Sequence, residues 1–165
     1  MNEKIKKILR ELIKYTVVII IALNIVSYYN SLDLNKEKLD IKSFTLLDGS
    51  EYLLENEKPI LINFWATWCP VCKLEEASIE KISKDFQVIT IATQSGSNQE
   101  IKEYLKKNNL TFRVINDEDG SLGQRFNIKA YPTTFIYDKN LNLKFSEVGY
   151  SSYIGLYLRM KFSNF

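Results

Sequence analysis

The chain has 165 residues, 45% hydrophobic and 25% charged, the profile of one globular domain with an appendage, which excludes a disordered chain. Its net charge of +2 is local: Lys4, Lys6, Lys7, Arg10 and Lys14 stand against Glu3 and Glu11 at the N-terminus, and the remainder, with 17 basic and 18 acidic residues, has no surplus to attract a nucleic acid. Two cysteines and no histidine exclude a disulfide framework and the usual zinc and haem ligand sets.

No charge occurs between Tyr15 and Leu32, and the run Val17-Val18-Ile19-Ile20-Ile21-Ala22-Leu23 is wholly apolar. As a helix, 15–32 reaches about 27 Å, close to the hydrocarbon thickness of a bilayer. Tyr15, Tyr28 and Tyr29 stand near its ends, where interfacial aromatics are favoured. The basic flank comes first, so the positive-inside rule places 1–14 in the cytoplasm and the rest outside. A cleaved signal peptide shares this layout, but Asn24-Ile25-Val26-Ser27-Tyr28-Tyr29 offers no clean pair of small residues for a peptidase. A buried core helix would carry a polar stripe, which this run lacks. The expected organisation is a cytoplasmic tail over 1–14, a transmembrane anchor over 15–32, a charged linker over 33–40 and one domain over 41–165.

Within the domain, Ile41 to Leu46 alternates as a strand before the turn Asp48-Gly49. Pro59-Ile60-Leu61-Ile62-Asn63-Phe64 is nearly continuous in apolar residues, the pattern of a central strand buried on both faces. From Val71 to Phe86, Val71, Ile79, Ile82 and Phe86 recur at helical spacing, and Pro70 suits the first turn, where a missing N–H is harmless. Next come a strand over 87–92, a helix over 98–108 with Ile101, Tyr104 and Leu105 inward, a strand over 112–115 and a short helix over 122–126. A proline then introduces a strand within 128–138, a turn at Asp138-Lys139-Asn140 leads to a strand over 141–148, and a helix over 150–162 closes the chain with Ile154, Tyr157, Leu158 and Lys161 on one spacing. The alternation predicts an α/β fold with parallel crossovers.

The chemistry falls on Cys69 and Cys72 in Phe64-Trp65-Ala66-Thr67-Trp68-Cys69-Pro70-Val71-Cys72-Lys73. A disulfide across so short a loop is a poor staple, because it gains little loop-closure stabilisation. Thiol–disulfide exchange needs an ionised, accessible thiol and a second thiol that resolves the mixed disulfide. A helix start favours a thiolate at Cys69, and Cys72 sits one turn deeper. Two buried cysteines acting as small hydrophobes, or half of a metal site, are the bland alternative. The buried strand before the motif, the helix after it and Pro132 at the start of a later strand weigh against it.

Helix geometry also singles out Glu75. At 100° per residue it lies within about 40° of Val71, Ile79, Ile82 and Phe86, inside the apolar stripe, whereas Glu76 falls with Glu80 and Ser83 on an expected solvent face. A carboxyl in that stripe has its pKa raised by desolvation and can exchange a proton with Cys72.

At these residues the sequence resembles the thioredoxin superfamily, and Asn63 to Cys72 looks most like its membrane-tethered TlpA/ResA branch, including ScsD-like proteins. The resemblance implies a thioredoxin fold over 41–165: a central mixed β-sheet flanked by helices, with an extra strand–helix insert between Ala92 and Gly120. It also implies that Cys69 is the nucleophile, that Cys72 resolves, and that Tyr131-Pro132 is a cis peptide beside them. Glu75 matches the branch's helix glutamate, and Asn63 replaces the buried aspartate of plain thioredoxin. Substrate recognition would fall on Trp68, Pro70, Val71 and Tyr131. No cofactor beyond the Cys69–Cys72 disulfide and no metal is implied. The implied partners are disulfide-bearing exported proteins or apocytochromes and a membrane electron carrier of the DsbD/CcdA kind. Pro70-Val71 lacks the histidine of the oxidising DsbA type, which favours a reductant over a disulfide-forming oxidant. A Cu(I)-binding module on two thiolates is the competing class, although no histidine or methionine stands near the motif. A thiol peroxidase is a third class, but its cysteines are not normally paired at this spacing.

Overall fold

Six consecutive buried residues make β3 (Ile60–Trp65) the centre of the sheet. Strand alternation sends Ile60, Ile62 and Phe64 to one side, against Phe126 and Phe135, and Leu61, Asn63 and Trp65 to the other. Each large apolar side chain buried this way contributes about 1.5–3 kcal/mol. The computed structural model describes residues 3–55 and 57–163; the first two residues of the expected tail, Asn56 and the last two of the expected domain lie outside the described residues.

Strands β4 (Gln87–Thr93) and β5 (Val114–Asp117) add to β3 in parallel on one side, and β6 (Thr133–Tyr137) and β7 (Leu143–Val148) add antiparallel on the other. The resulting order is β5-β4-β3-β6-β7, a mixed sheet. A separate hairpin, β1 (Ser43–Thr45) with β2 (Glu51–Leu53), precedes it. The helices are α1 (Glu3–Leu32), α2 (Pro70–Ile82), α3 (Asn98–Lys107), α4 (Ser121–Arg125) and α5 (Tyr153–Phe162). Helix α3 starts on a capping box in which the Ser97 hydroxyl accepts from the Glu100 N–H and the Glu100 carboxylate accepts from the Ser97 N–H.

Several sequence expectations are corrected. Strand β5 lies two residues later than 112–115, because Phe112 turns in to pack edge-on against Trp65 before pairing begins. Helix α2 stops at Ile82, four residues short of Phe86, and Val71 at its start is 39% exposed rather than inward. Helix α5 is rotated from the expected face: Leu156 and Met160 are buried, while Ile154 and Leu158 are exposed. Its sequence is apolar nearly all round, so spacing alone could not choose a face. Glu76 is not on a solvent face either. It accepts from the Tyr104 hydroxyl of α3, and Glu80 accepts from the N–H and hydroxyl of Thr111, so the α3–β5 insert covers that side of α2.

Segment 33–40, expected as a linker, crosses the domain surface with Leu34 and Leu39 buried. Asp33 and Asp40 pair with Lys129 and Arg125, and the Leu39 N–H donates to the Leu141 carbonyl at 2.9 Å. Helix α1 joins the tail and the anchor in one element, and Lys4–Leu32 is long and apolar enough to cross a membrane by length and composition. From Leu12 to Val26 its described side chains are exposed. Its final turns meet β7, where the Ser27 hydroxyl donates to the Val148 carbonyl at 2.8 Å and accepts from the Val148 N–H at 3.3 Å.

Candidate active site

Strand β3 delivers the chain to a short, pinned loop. The Thr67 N–H donates to the Ser95 hydroxyl at 3.1 Å, and the Trp68 indole donates to the Gln94 carbonyl at 3.0 Å, so the end of β4 fixes the approach to the cysteines. Cys69 caps α2: its Sγ accepts from the Cys72 N–H at 3.1 Å, and Pro70 occupies the first turn. The two cysteines form a disulfide. Fractional exposure hardly separates them, at 5% and 3%; their hydrogen bonding does, because only Cys69 Sγ receives a helix-terminal N–H.

The peptide Tyr131-Pro132 is cis, and it brings the Tyr131 carbonyl oxygen 3.6 Å from Cys69 Sγ. Pro132 is buried and Tyr131 half-buried, its ring edge-on to Trp68 at 5.7 Å between centroids. Trp68, 60% exposed, forms the surface around the disulfide together with exposed Pro70 and Val71. All four residues expected to meet a substrate therefore lie beside the sulfur pair.

Glu75 is 1% exposed. Asn63 shares its sheet face with Leu61 and Trp65, under α2, and its amide donates to Glu75 Oε2 at 3.1 Å and to the Thr134 hydroxyl at 3.0 Å. Glu75 Oε1 accepts from the Ser151 N–H at 2.7 Å. Burial pushes the carboxyl up to about 7, against these two hydrogen bonds and with a further push from the Glu147 carboxylate. Proximity to Cys72 follows from the helix, since positions three apart share a face. The arrangement can hold a proton near neutral pH one turn from the resolving sulfur.

The sequence reading missed Glu147, Ser151 and Arg159. The Ser151 hydroxyl donates to Glu147 Oε2 at 2.8 Å, and Glu147 is ion-paired with Arg159 of α5. The available signal was parity: Glu147, two residues after Phe145 in β7, shares its face, which packs on the core, so a charged side chain there needs partners. The Glu147 charge pushes Glu75 up. Glu147→Gln therefore lowers the pH at which Glu75 titrates. Carbon-detected NMR of the Glu75 carboxyl across pH 5–9 checks the sign; an unchanged titration in the variant would disconnect Glu147 from Glu75.

Residues 31–146 match the model of the AhpC/TSA family. A thioredoxin-like protein of Haemophilus influenzae is 31% identical over 168 residues, covering 98% of this chain and 98% of that one. Sporulation thiol-disulfide oxidoreductase A of Bacillus subtilis is 26% identical over 111 residues, 62% of this chain and 67% of that one. Among solved structures, a secreted disulfide oxidoreductase of Mycobacterium tuberculosis is 25% identical with a TM-score of 0.62, over 72% of this chain and 93% of that one. With a thioredoxin fold, a cysteine pair at a helix start and these relatives, the chain belongs to the AhpC/TSA family of thioredoxin-like proteins and is a protein-disulfide oxidoreductase of TlpA/ResA-like kind.

Proposed function

We propose that the protein acts as a reductant through its Cys-Pro-Val-Cys motif, on the outer side of the cytoplasmic membrane, where α1 anchors it. Its substrates in this reading are disulfides of exported proteins or apocytochromes, and a membrane dithiol carrier of the DsbD/CcdA kind restores its own dithiol.

The observation that carries the direction is how few donors surround Cys69 Sγ. One backbone N–H reaches Cys69 Sγ, and the nearby Tyr131 carbonyl oxygen opposes negative charge there while accepting from a neutral thiol. The chain has no histidine to add a cation. Strong oxidants owe their potential to a stabilised reduced form, so weak stabilisation of the thiolate favours the disulfide and makes the dithiol a reductant. Support for the location comes from α1, apolar enough to cross a membrane and carrying basic residues in its first turns, ahead of the apolar run.

Equilibration with glutathione buffers measures the direction. The expected reduction potential lies near that of thioredoxin, about −270 mV, rather than the roughly −120 mV of DsbA. A value at the DsbA end would make the protein an oxidant.

A further inference from the structure

The join between anchor and domain carries orientation as well as attachment. Strands β3, β6 and β7 share an end. Phe64 at the close of β3 pairs with Thr133 at the start of β6, and Thr133 pairs with Val148 at the close of β7. That end holds the disulfide. It is also where α1 docks, through both hydrogen bonds between Ser27 and Val148. A short path links the two: the Gly149 N–H donates to the Pro132 carbonyl at 2.8 Å, and the Tyr131 carbonyl lies at Cys69 Sγ.

From Ser27 the chain runs down the domain. Ser31 and Leu34 are buried, and Leu39 bonds to Leu141 beside the start of β7, at the opposite end of the sheet. Traced the other way, α1 leaves the body past the disulfide end, with its described side chains from Leu12 to Val26 exposed.

Length removes the slack. Twelve residues, Tyr15 to Val26, lie between the last basic residue of the tail and the docking point. As helix they cover about 18 Å, whereas a bilayer core of about 30 Å needs about 20 residues. Ile8, Leu9, Leu12 and Ile13 extend the apolar length with Arg10 and Lys14 snorkelling to the cytoplasmic surface, but no free residue is left before Ser27 on the outer side. Exposed aromatics of the kind favoured at a membrane interface stand at this end: Tyr28 and Tyr29 on α1, Tyr150 two residues after Val148, and Trp68 beside Cys69. Trp68 is tied to the end of β4, three strand spacings or about 14 Å from β7.

We infer that α1 is a strut rather than a loose tether: docked on β7, it holds the disulfide end of the sheet against the outer bilayer surface, with Trp68 and Tyr150 at headgroup depth. The inference rests on the reading of α1 as a membrane anchor. It places Cys69 where a dithiol carried at the membrane surface meets it without the domain turning over.

The test uses the full chain reconstituted in phosphatidylcholine vesicles. Flotation reports the anchor, and tryptophan quenching by lipids brominated near the headgroup reports the orientation. Trp65 is buried, and the same measurement on Trp68→Phe subtracts its contribution. The expected result is quenching of the Trp68 emission, stronger with headgroup-proximal bromines than with mid-chain ones. A flexible Gly/Ser insert between Val26 and Ser27, which keeps both the anchor and the docking contacts, should abolish it. A chain that floats but shows no Trp68 quenching overturns the orientation and leaves the anchor standing. Quenching unchanged by the insert overturns the strut, and failure to float removes anchor and orientation together.

Discussion

Cys69→Ser should reduce insulin-disulfide reduction to background, whereas Cys72→Ser should retain attack but stop at a covalent complex with the substrate. In the reducing direction the Cys69 thiolate attacks one substrate sulfur. The Cys69–substrate bond forms, the substrate disulfide breaks, and one substrate thiolate leaves. The Cys72 thiolate then attacks Cys69 Sγ, releasing the second substrate thiolate and forming the Cys69–Cys72 bond; two electrons have passed to the substrate. The roles follow from position on α2. Cys69 Sγ accepts the helix-terminal N–H of Cys72 and lies beside exposed Trp68, whereas Cys72 lies inside the first turn. A charge at a helix N-terminus is stabilised by roughly 0.3–1 kcal/mol, up to about 2 when partly buried, enough to favour the outer thiolate by about twofold to more than tenfold. Non-reducing electrophoresis of Cys72→Ser with an oxidised substrate should show the mixed disulfide, and mass spectrometry should map it to Cys69. Alkylation of the reduced protein at neutral pH should label Cys69 first; labelling of Cys72 first would reverse the roles.

The parts of this site written into local spacing were legible in the sequence, and the parts made by distant segments were not. A continuous apolar run identified β3, and helix geometry put Glu75 inward, because both depend on a period that a single element carries by itself. Glu76 shows the limit. Its place on the wheel is the one expected, yet the face is covered by Tyr104 and Thr111 of the insert, and no periodicity within α2 reveals a neighbour folded over it. Helix α5 failed for the opposite reason, since apolar residues on every side leave no stripe to read. Ser151 contributes a backbone N–H, a group every non-proline residue has, so its role at Glu75 has no signature in residue type.

Glu75→Gln should slow thiol–disulfide exchange and, above neutral pH, make the protein more stable. Exchange slows because the variant keeps the side chain's shape but cannot take or return a proton near Cys72; its rate should also lose the pH dependence centred near 7 that the wild-type carboxyl supplies. The stability sign follows from burial. The carboxyl titrates at about 7 in the folded protein and at about 4.5 when unfolded, so between those values the native state binds the extra proton. Stability therefore falls as pH rises from about 4.5 to about 7 and stays reduced above, by about 3 kcal/mol on the order-of-magnitude scale of 1.36 kcal/mol per pH unit. Glutamine removes that penalty; the charge-assisted hydrogen bonds from Asn63 and Ser151 that it gives up are already counted in the value of about 7, which they lower. Its amide can still be accommodated: the carbonyl accepts from the Ser151 N–H, and Asn63 turns its own amide to accept the new donor while its oxygen takes the Thr134 hydroxyl proton. The gain of about 3 kcal/mol at pH 8, an order-of-magnitude figure, corresponds to a rise of roughly 6–12 °C in Tm. Near pH 4.5, where the wild-type carboxyl is already protonated and neutral, the gain should vanish. Thermal unfolding of both proteins at pH 4.5, 6 and 8, alongside exchange rates over the same range, checks the two halves separately. Parallel stability curves would mean that Glu75 is not buried as a titrating acid, and unchanged exchange rates would leave it without a part in proton transfer.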